Sequence, residues 1–115
     1  MQTDPAVDDP GSLVALLTTV ATRDDADRLA AGAVEAGLAA CVHLDAVDSV
    51  YRWQGALQRD AEWRLLFKTT PEAAAGLRRW LLERHPYDVP MLATIALDDT
   101  APAYLDWVRT QTARP

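Results

Sequence analysis

The stretch from Ala39 to Thr70 reads AACVHLDAVDSVYRWQGALQRDAEWRLLFKTT, two extended runs joined at Gln54-Gly55. Both runs carry β-branched and aromatic residues, and the glycine at their junction favours a tight turn. The second run alternates between an apolar and a polar face, as a half-buried strand does. The apolar face carries Ala61, Trp63, Leu65 and Phe67, and the polar face carries Glu62, Arg64 and Lys68, interrupted by Leu66. The stretch is therefore predicted to be a β-hairpin.

The predicted hairpin is long for a domain of this size. Each arm is at least twice as long as a typical strand, which has about five or six residues. A domain of this size cannot cover such arms with its own helices. We therefore expect the hairpin to pair with something outside its own chain.

The segment before the hairpin predicts a strand and a helix. Residues 12–20 (SLVALLTTV) form a continuous apolar run without alternation, which is typical of a central strand covered on both faces. Thr22 is placed to cap a helix with apolar residues at helical spacing, and Gly37 is placed to end it. Residues 1–11 (MQTDPAVDDPG) are acidic and contain two prolines, so they are predicted to form a disordered tail in front of a single domain over residues 12–115.

The segment after the hairpin predicts a helix, a strand and a last helix. Thr70-Pro71-Glu72 begins the first of these helices, and it ends at His85-Pro86, because the residue before a proline disfavours the helical region. Residues 91–97 (MLATIAL) are predicted to form the fourth strand, and Asp98-Asp99-Thr100 to cap the final helix. The order is β-α-β-β-α-β followed by a helix. Right-handed crossovers then place two helices on one face of an antiparallel sheet, which is an α+β, ferredoxin-like sandwich.

Composition limits the classes of partner. The 11 basic and 17 acidic residues give a net charge of −6, which argues against nucleic-acid binding. The single cysteine, Cys41, cannot form an internal disulfide, so folding requires no oxidising compartment, and an inert buried thiol is the expectation. The chain has neither an apolar run of about 18 residues nor the pattern of a signal peptide. We expect a cytoplasmic protein that binds neither nucleic acid nor membrane.

Several motifs, taken together and in order, resemble the family of the divalent-cation tolerance protein CutA. The match extends from about Leu13 to Val108. It consists of Leu38-Ala39-Ala40-Cys41-Val42, then Ser49, Tyr51, Trp53 and Gly55, then Glu62, Phe67-Lys68-Thr69-Thr70, His85-Pro86-Tyr87, Val89-Pro90, Tyr104-Leu105 and Trp107. The resemblance implies a ferredoxin-like homotrimer, similar to the nitrogen-regulatory P-II proteins, in which the long hairpins pair between subunits. It also implies a role in tolerance to divalent metals, and copper binding.

His85 is the best candidate for a metal ligand, with Asp88 close to it in sequence, because imidazole suits copper and zinc. The alternative is that the His85 ring bonds a backbone group at the end of the helix. Compared with some family members, the chain has Leu17 in place of a thiol, Arg84 in place of a histidine and Met91 in place of an acid. Copper or another divalent cation should therefore bind weakly, and no organic cofactor is expected.

A cleft between subunits is the second candidate site. It would be lined by Tyr51, Trp53, Glu62, Lys68, His85 and Tyr87. Glu62 and Lys68 lie about 20 Å apart along a strand and cannot pair with each other, so each would meet a partner from a neighbouring subunit. In the alternative, the aromatic residues only pack in the interface between subunits, and the charged residues only fix the register of the subunits. Cys41 and His43 share a strand face and could both bind a metal ion, but nothing else nearby in the sequence would complete the site.

Nothing in the sequence indicates an enzyme, because no nucleophile has a base beside it and no glycine-rich phosphate loop occurs. Two functions stay open. One is a divalent-cation tolerance protein that binds metal as a homotrimer. The other is a P-II-like signalling or adaptor module that senses a small ligand in the clefts between subunits, with an unidentified protein partner.

Overall fold

A computed structural model describes residues 12–112 of the chain, so the predicted acidic tail over residues 1–11 lies outside the described residues. Strands and helices follow one another in the predicted order. They are β1 (Leu13–Val20), α1 (Arg23–Glu35), β2 (Cys41–Trp53), β3 (Ala56–Thr69), α2 (Pro71–Arg84), β4 (Leu92–Leu97) and α3 (Pro102–Thr112).

The four strands form one antiparallel sheet in the order β2-β3-β1-β4. β1 lies inside the sheet, because it pairs with β3 on one side and with β4 on the other. Its apolar residues are buried accordingly, including Leu13, Val14 and Leu16. This arrangement confirms the ferredoxin-like fold and the central position of the first strand.

The predicted hairpin is confirmed, together with its turn. Trp53 pairs with Ala56, so Gln54 and Gly55 are the two residues of the loop. Both have a positive φ, 50° at Gln54 and 80° at Gly55. Two-residue turns of this kind have a backbone twist that matches the twist of the flanking strands. The turn therefore sets the register of the whole hairpin.

Half of the hairpin projects beyond the sheet as a two-stranded ribbon. β3 pairs with β1 only from Trp63 to Thr69, whereas residues 47–53 and 56–62 pair only with each other. We call these two segments the ribbon. Its exposed apolar side chains are Val50, Tyr51, Trp53 and Leu57. The radius of gyration, 15.4 Å, exceeds the value of about 13 Å expected for a compact domain of this length, in keeping with the projection.

Helices α1 and α2 cover one face of the sheet and enclose the main core. Their caps are those predicted, since the Thr22 and Thr70 hydroxyls accept hydrogen bonds from the backbone N–H groups of Asp25 and Ala73. Buried residues of both helices pack against β1 and β3. They are Ala26, Leu29, Ala33, Leu77 and Leu81, which meet Val14, Leu16, Val20, Leu65 and Phe67.

Helix α3 closes a second, smaller cluster, in which Leu105 and Val108 pack with Leu13. The predicted cap at Asp98-Asp99-Thr100 is wrong, because α3 begins at Pro102. The Thr100 hydroxyl donates back to the Leu97 carbonyl, and Asp99 has a φ of 57°, so this segment is a turn. Pro102 indicates the start of α3 more directly than these polar residues do, since proline favours the first position of a helix. Within residues 12–112, no helix is long and apolar enough to cross a membrane.

The contact between α1 and α2 at Gly32 gives a test of the packing. A Cβ on Gly32 would lie 2.9 Å from the Trp80 ring, whereas one on Gly76 would meet nothing closer than Leu38 at 3.4 Å. Alanine normally stabilises a helix by about 1 kcal/mol relative to glycine. We expect Gly76→Ala to raise the free energy of unfolding by up to that amount. Gly32→Ala should instead lower it by about 1 kcal/mol, because displacing the indole disturbs packing. Urea unfolding measures both, and equal effects of the two substitutions would contradict the packing described.

Candidate functional site

A cavity of about 720 Å³ lies between the ribbon and the segment that connects α2 to β4. The ribbon contributes Tyr51, Trp53 and Glu62, and the connecting segment contributes Tyr87, Val89 and Met91. Pro86 and Pro90 stiffen this segment because each fixes its own φ. The cavity therefore has one wall from the hairpin and one from a short, restrained link.

Four of the six residues predicted for the cleft meet in this cavity. Tyr51, Trp53, Glu62 and Tyr87 line it, although they come from three separate segments of the chain. His85 lies beside it, with its ring centroid 5.2 Å from that of Tyr87. These five positions therefore form one neighbourhood in a single chain.

Lys68, the sixth residue of the predicted cleft, lies elsewhere in the chain. It pairs with Cys41 on β2, and its Nζ lies 5.4 Å from the centre of the Tyr104 ring on α3. Glu62 is in the middle of β3, on the part that projects beyond β1, whereas Lys68 is near the strand's C-terminal end, so the two charges are six residues apart. That Glu62 and Lys68 meet in a cleft between subunits stays a prediction. His43 is exposed, and Cys41 is only half-buried, which is more open than the buried thiol we expected.

A hydrogen bond between Tyr87 and Glu62 joins the two walls of the cavity. The Tyr87 hydroxyl donates to Glu62 Oε2 at 2.6 Å. Burial and the neighbouring Glu62 carboxylate both raise the pKa of Tyr87 well above its ordinary value of 10.0. Tyr87 therefore stays a neutral phenol and a hydrogen-bond donor at physiological pH.

A second tyrosine–carboxylate pair lies within the ribbon. The Tyr51 hydroxyl donates to Asp60 Oδ2, and this bond raises the pKa of Tyr51. Asp60 is not among the residues predicted from the sequence. Alternation could have found it, because Asp60 and Glu62 are two residues apart and therefore lie on the same face of β3.

His85 is held through both ring nitrogens. The backbone N–H of Tyr87 donates to Nδ1 at 3.1 Å, and Nε2 lies 2.8 Å from Thr18 Oγ1. The Thr18 hydroxyl in turn donates to the Met91 carbonyl at 2.6 Å. These contacts assign the proton of a neutral imidazole to Nε2. Thr18 of β1 thus holds the connecting segment at both ends, through His85 at its start and Met91 at its end.

Thr18 is a second residue that the sequence analysis missed. It is fully buried on β1 and separated from His85 by 67 positions. No local pattern links two residues so far apart, since the sheet register alone brings them together. The contacts made by His85 agree with the alternative in which its ring bonds a backbone group. A metal ion could use His85 only by displacing Thr18 or Tyr87.

Asp88, the other predicted metal ligand, is exposed and lines the cavity. No group of three or more His, Cys, Asp or Glu side chains within residues 12–112 is arranged to hold a metal ion. Three or more protein ligands are usual for a tightly held transition metal. His85 and Asp88 of one chain therefore supply at most an incomplete site, and their role as ligands stays a prediction.

Comparison with known proteins places nearly all of the described region in one family. The family model described as CutA1 divalent ion tolerance protein matches residues 14–111. The divalent-cation tolerance protein CutA of Thermus thermophilus is 39% identical over 98 residues, which cover 84% of this chain and 95% of that protein. Protein CutA of Mus musculus is 33% identical over 104 residues, covering 90% of this chain and 59% of the mouse protein. The chain thus spans little more than half of the mouse relative.

Solved structures agree with this result. The structure of CutA from Synechococcus elongatus PCC7942 superposes with a TM-score of 0.86 at 45% identity, covering 89% of this chain and 91% of that one. A second structure of the same cyanobacterial protein, complexed with a Bis-Tris molecule, gives a TM-score of 0.82 at 44% identity, with 88% and 94% coverage. The fold is therefore shared with this cyanobacterial protein, at 44–45% sequence identity.

The position of His85 predicts a pH dependence of stability. Burial lowers the pKa of His85 below its ordinary value of 6.5, with nearby Asp25 acting in the opposite direction. The unfolded chain therefore binds the proton first, and the free energy of unfolding falls as the pH drops below about 6.5. His85→Gln keeps a donor and an acceptor but does not titrate, so its free energy of unfolding should fall less between pH 7 and pH 5.

Urea unfolding at fixed protein concentration, repeated across this pH range, measures the difference. His43→Gln is the matched control, because it removes the other histidine of the chain from an exposed position. Parallel profiles for wild type and His85→Gln would contradict the assignment of a neutral, buried ring.

Proposed function

Because the chain belongs to the CutA1 divalent ion tolerance protein family, we propose that it acts in divalent-cation tolerance as a homotrimer that binds copper weakly. The observation that carries the trimer is the ribbon, which projects from the sheet with its apolar side chains exposed. The proposal assigns no catalysed reaction to the chain. It places the protein in the cytoplasm, where the single thiol of Cys41 needs no partner.

Two unpaired strand edges support a closed assembly of identical subunits. β2 pairs only with β3, and β4 pairs only with β1, so each leaves one edge without a partner among the described residues. Unpaired edges readily accept a strand from another chain. A contact between two different edges closes into a ring when the rotation between subunits fits. An isolated two-stranded ribbon is only marginally stable in water, so it gains most from such pairing.

Copper binding would be centred on His85 and Asp88. Imidazole nitrogen and carboxylate oxygen both suit Cu²⁺. The ion would have to replace one of the hydrogen bonds that His85 makes to Thr18 and Tyr87, which reduces the affinity. Further ligands would come from solvent or from a neighbouring subunit. These two features support weak rather than tight binding.

A second candidate function is a P-II-like module that senses a small ligand. The observation that favours it is the cavity, whose walls come from the ribbon and the connecting segment. The cyanobacterial relative holds a small molecule, Bis-Tris, in one of its structures. A ligand between the two walls would contact the ribbon, and the ribbon is where neighbouring subunits are proposed to meet. A ligand could in this way alter the assembly and its contacts with a protein partner.

Calorimetric titration with copper(II) tests the metal site. We expect wild type to bind weakly and His85→Ala to bind at least about tenfold more weakly, because the only imidazole beside the cavity is lost. His43→Ala is the matched control, since it removes the exposed histidine of β2. Circular dichroism verifies that each variant is folded. Identical isotherms for wild type and His85→Ala would remove His85 as a ligand, and binding by neither would favour the sensing module.

Trp53 tests the proposed assembly. It lies at the end of β2, where its side chain is 48% exposed in the single chain. Burial between subunits would make it an anchor, so Trp53→Ala should cost about 3 kcal/mol per contact and shift dissociation to higher protein concentration. Leu82→Ala, which truncates an exposed apolar side chain on α2, serves as the control. Analytical ultracentrifugation over a concentration series measures both, and an unchanged dissociation curve for Trp53→Ala would exclude the anchor role.

A further inference from the structure

We propose that the cavity between the ribbon and the connecting segment binds a small organic cation of the quaternary ammonium type. The inference rests on the second candidate function and names the chemical class of the ligand. Three features of the cavity support a cation: the negative charge of its walls, their aromatic residues, and the arrangement of the carboxylates.

The cavity walls carry only negative charge. Glu62 and Asp88 both line the cavity, and none of the eleven residues that line it within the described part of the chain is Lys, Arg or His. Asp60 adds a third carboxylate next to the cavity through its bond to Tyr51. Clefts lined by one sign of charge focus the field and concentrate ligands of the opposite sign. The cavity therefore favours a cation and disfavours phosphate-bearing or carboxylate ligands.

The two basic residues of the ribbon, Arg52 and Arg59, lie on the strand face opposite to that of Tyr51 and Glu62. Arg52 stands between Tyr51 and Trp53 on β2, so alternation directs it to the opposite face of the strand. Its guanidinium donates to the Gly55 carbonyl at 3.4 Å, at the turn of the hairpin. Within the single chain, the ribbon therefore supplies no positive side chain to balance Glu62 and Asp88 at the cavity.

Three aromatic residues favour an organic cation over a bare ion. Tyr51, Trp53 and Tyr87 all line the cavity. Aromatic faces attract ammonium groups through the ring quadrupole, and indole is the strongest of them. Both tyrosine hydroxyls donate to carboxylates, which makes the phenol rings more electron-rich. Val50, Val89 and Met91 supply apolar contact for methyl groups.

The carboxylates do not converge as they would in a metal site. Within residues 12–112, no three acidic, histidine or cysteine side chains come together as ligands. A neutral apolar ligand would fit the aromatic walls, but it would remove water from Glu62 and Asp88 without supplying a counter-charge. A cation with an apolar surface satisfies both the carboxylates and the rings.

Choline and its neutral isostere 3,3-dimethylbutan-1-ol test the role of charge, because they share a shape and differ by one positive charge. The full chain is titrated with each compound in sodium phosphate buffer at pH 7.5, free of amines, and binding is followed by NMR of the tyrosine and tryptophan side chains. We expect choline to bind about tenfold more tightly than the isostere. Shifts should appear at Tyr51, Trp53 and Tyr87.

Matched variants locate the site. Glu62→Gln and Asp88→Asn each remove one charge with little change of shape, and either should weaken choline binding about threefold or more while leaving the isostere unchanged. Glu72→Gln removes an exposed carboxylate at the start of α2, away from the cavity, and should leave choline binding as in wild type. Because two independent variants are used, failure of one to fold does not prevent the test.

The outcomes separate this inference from the sensing function on which it rests. Equal binding of choline and the isostere, both with shifts in the cavity, would overturn the cation and leave the cavity as a ligand site. Shifts at α2 instead of the cavity would overturn the location. Absence of binding by both compounds would overturn the inference, and a screen of anionic and neutral metabolites by thermal shift would then decide the sensing function separately.

Discussion

The ladder between β2 and β3 is the constraint on which the rest of this structure depends. It runs from Cys41 opposite Lys68 to Trp53 opposite Ala56, and β1 supports only its inner half. The inner half carries the core through Leu65 and Phe67. The outer half carries no helical cover, so its apolar side chains remain exposed. One continuous pairing therefore supplies both the sheet of the domain and the surface proposed for assembly.

The connecting segment between α2 and β4 reaches across to this ribbon. His85 fixes its start to β1 through Thr18, and Tyr87 fixes its middle to the ribbon through Glu62. The backbone N–H of Tyr87 also donates to His85 Nδ1, so the connecting segment itself helps to orient the His85 ring. A metal ion at His85 would disturb the same contacts that shape the cavity. Metal binding and ligand binding are thus expected to influence each other, whichever of them dominates.

Much of the fold could be predicted because its signals are local. Alternation along β3, a two-residue turn at Gln54-Gly55 and the caps at Thr22 and Thr70 each act within a few residues of sequence. The start of α3 was missed because three polar residues resembled a cap more closely than Pro102 did. The site was harder to predict, since Thr18 meets His85 only through the sheet register. The separation of Glu62 from Lys68 could be predicted, because six residues of extended strand span about 20 Å, whereas their meeting across subunits stays a prediction.

The length of the hairpin is proposed to serve the assembly of identical subunits. Light scattering coupled to size exclusion, applied to the full chain at micromolar concentration and moderate salt, tests it most directly. A homotrimer predicts a mass three times that of the 12.6 kDa chain, maintained on dilution. A mass of 12.6 kDa at these concentrations would contradict it, and the exposed ribbon would then need another partner.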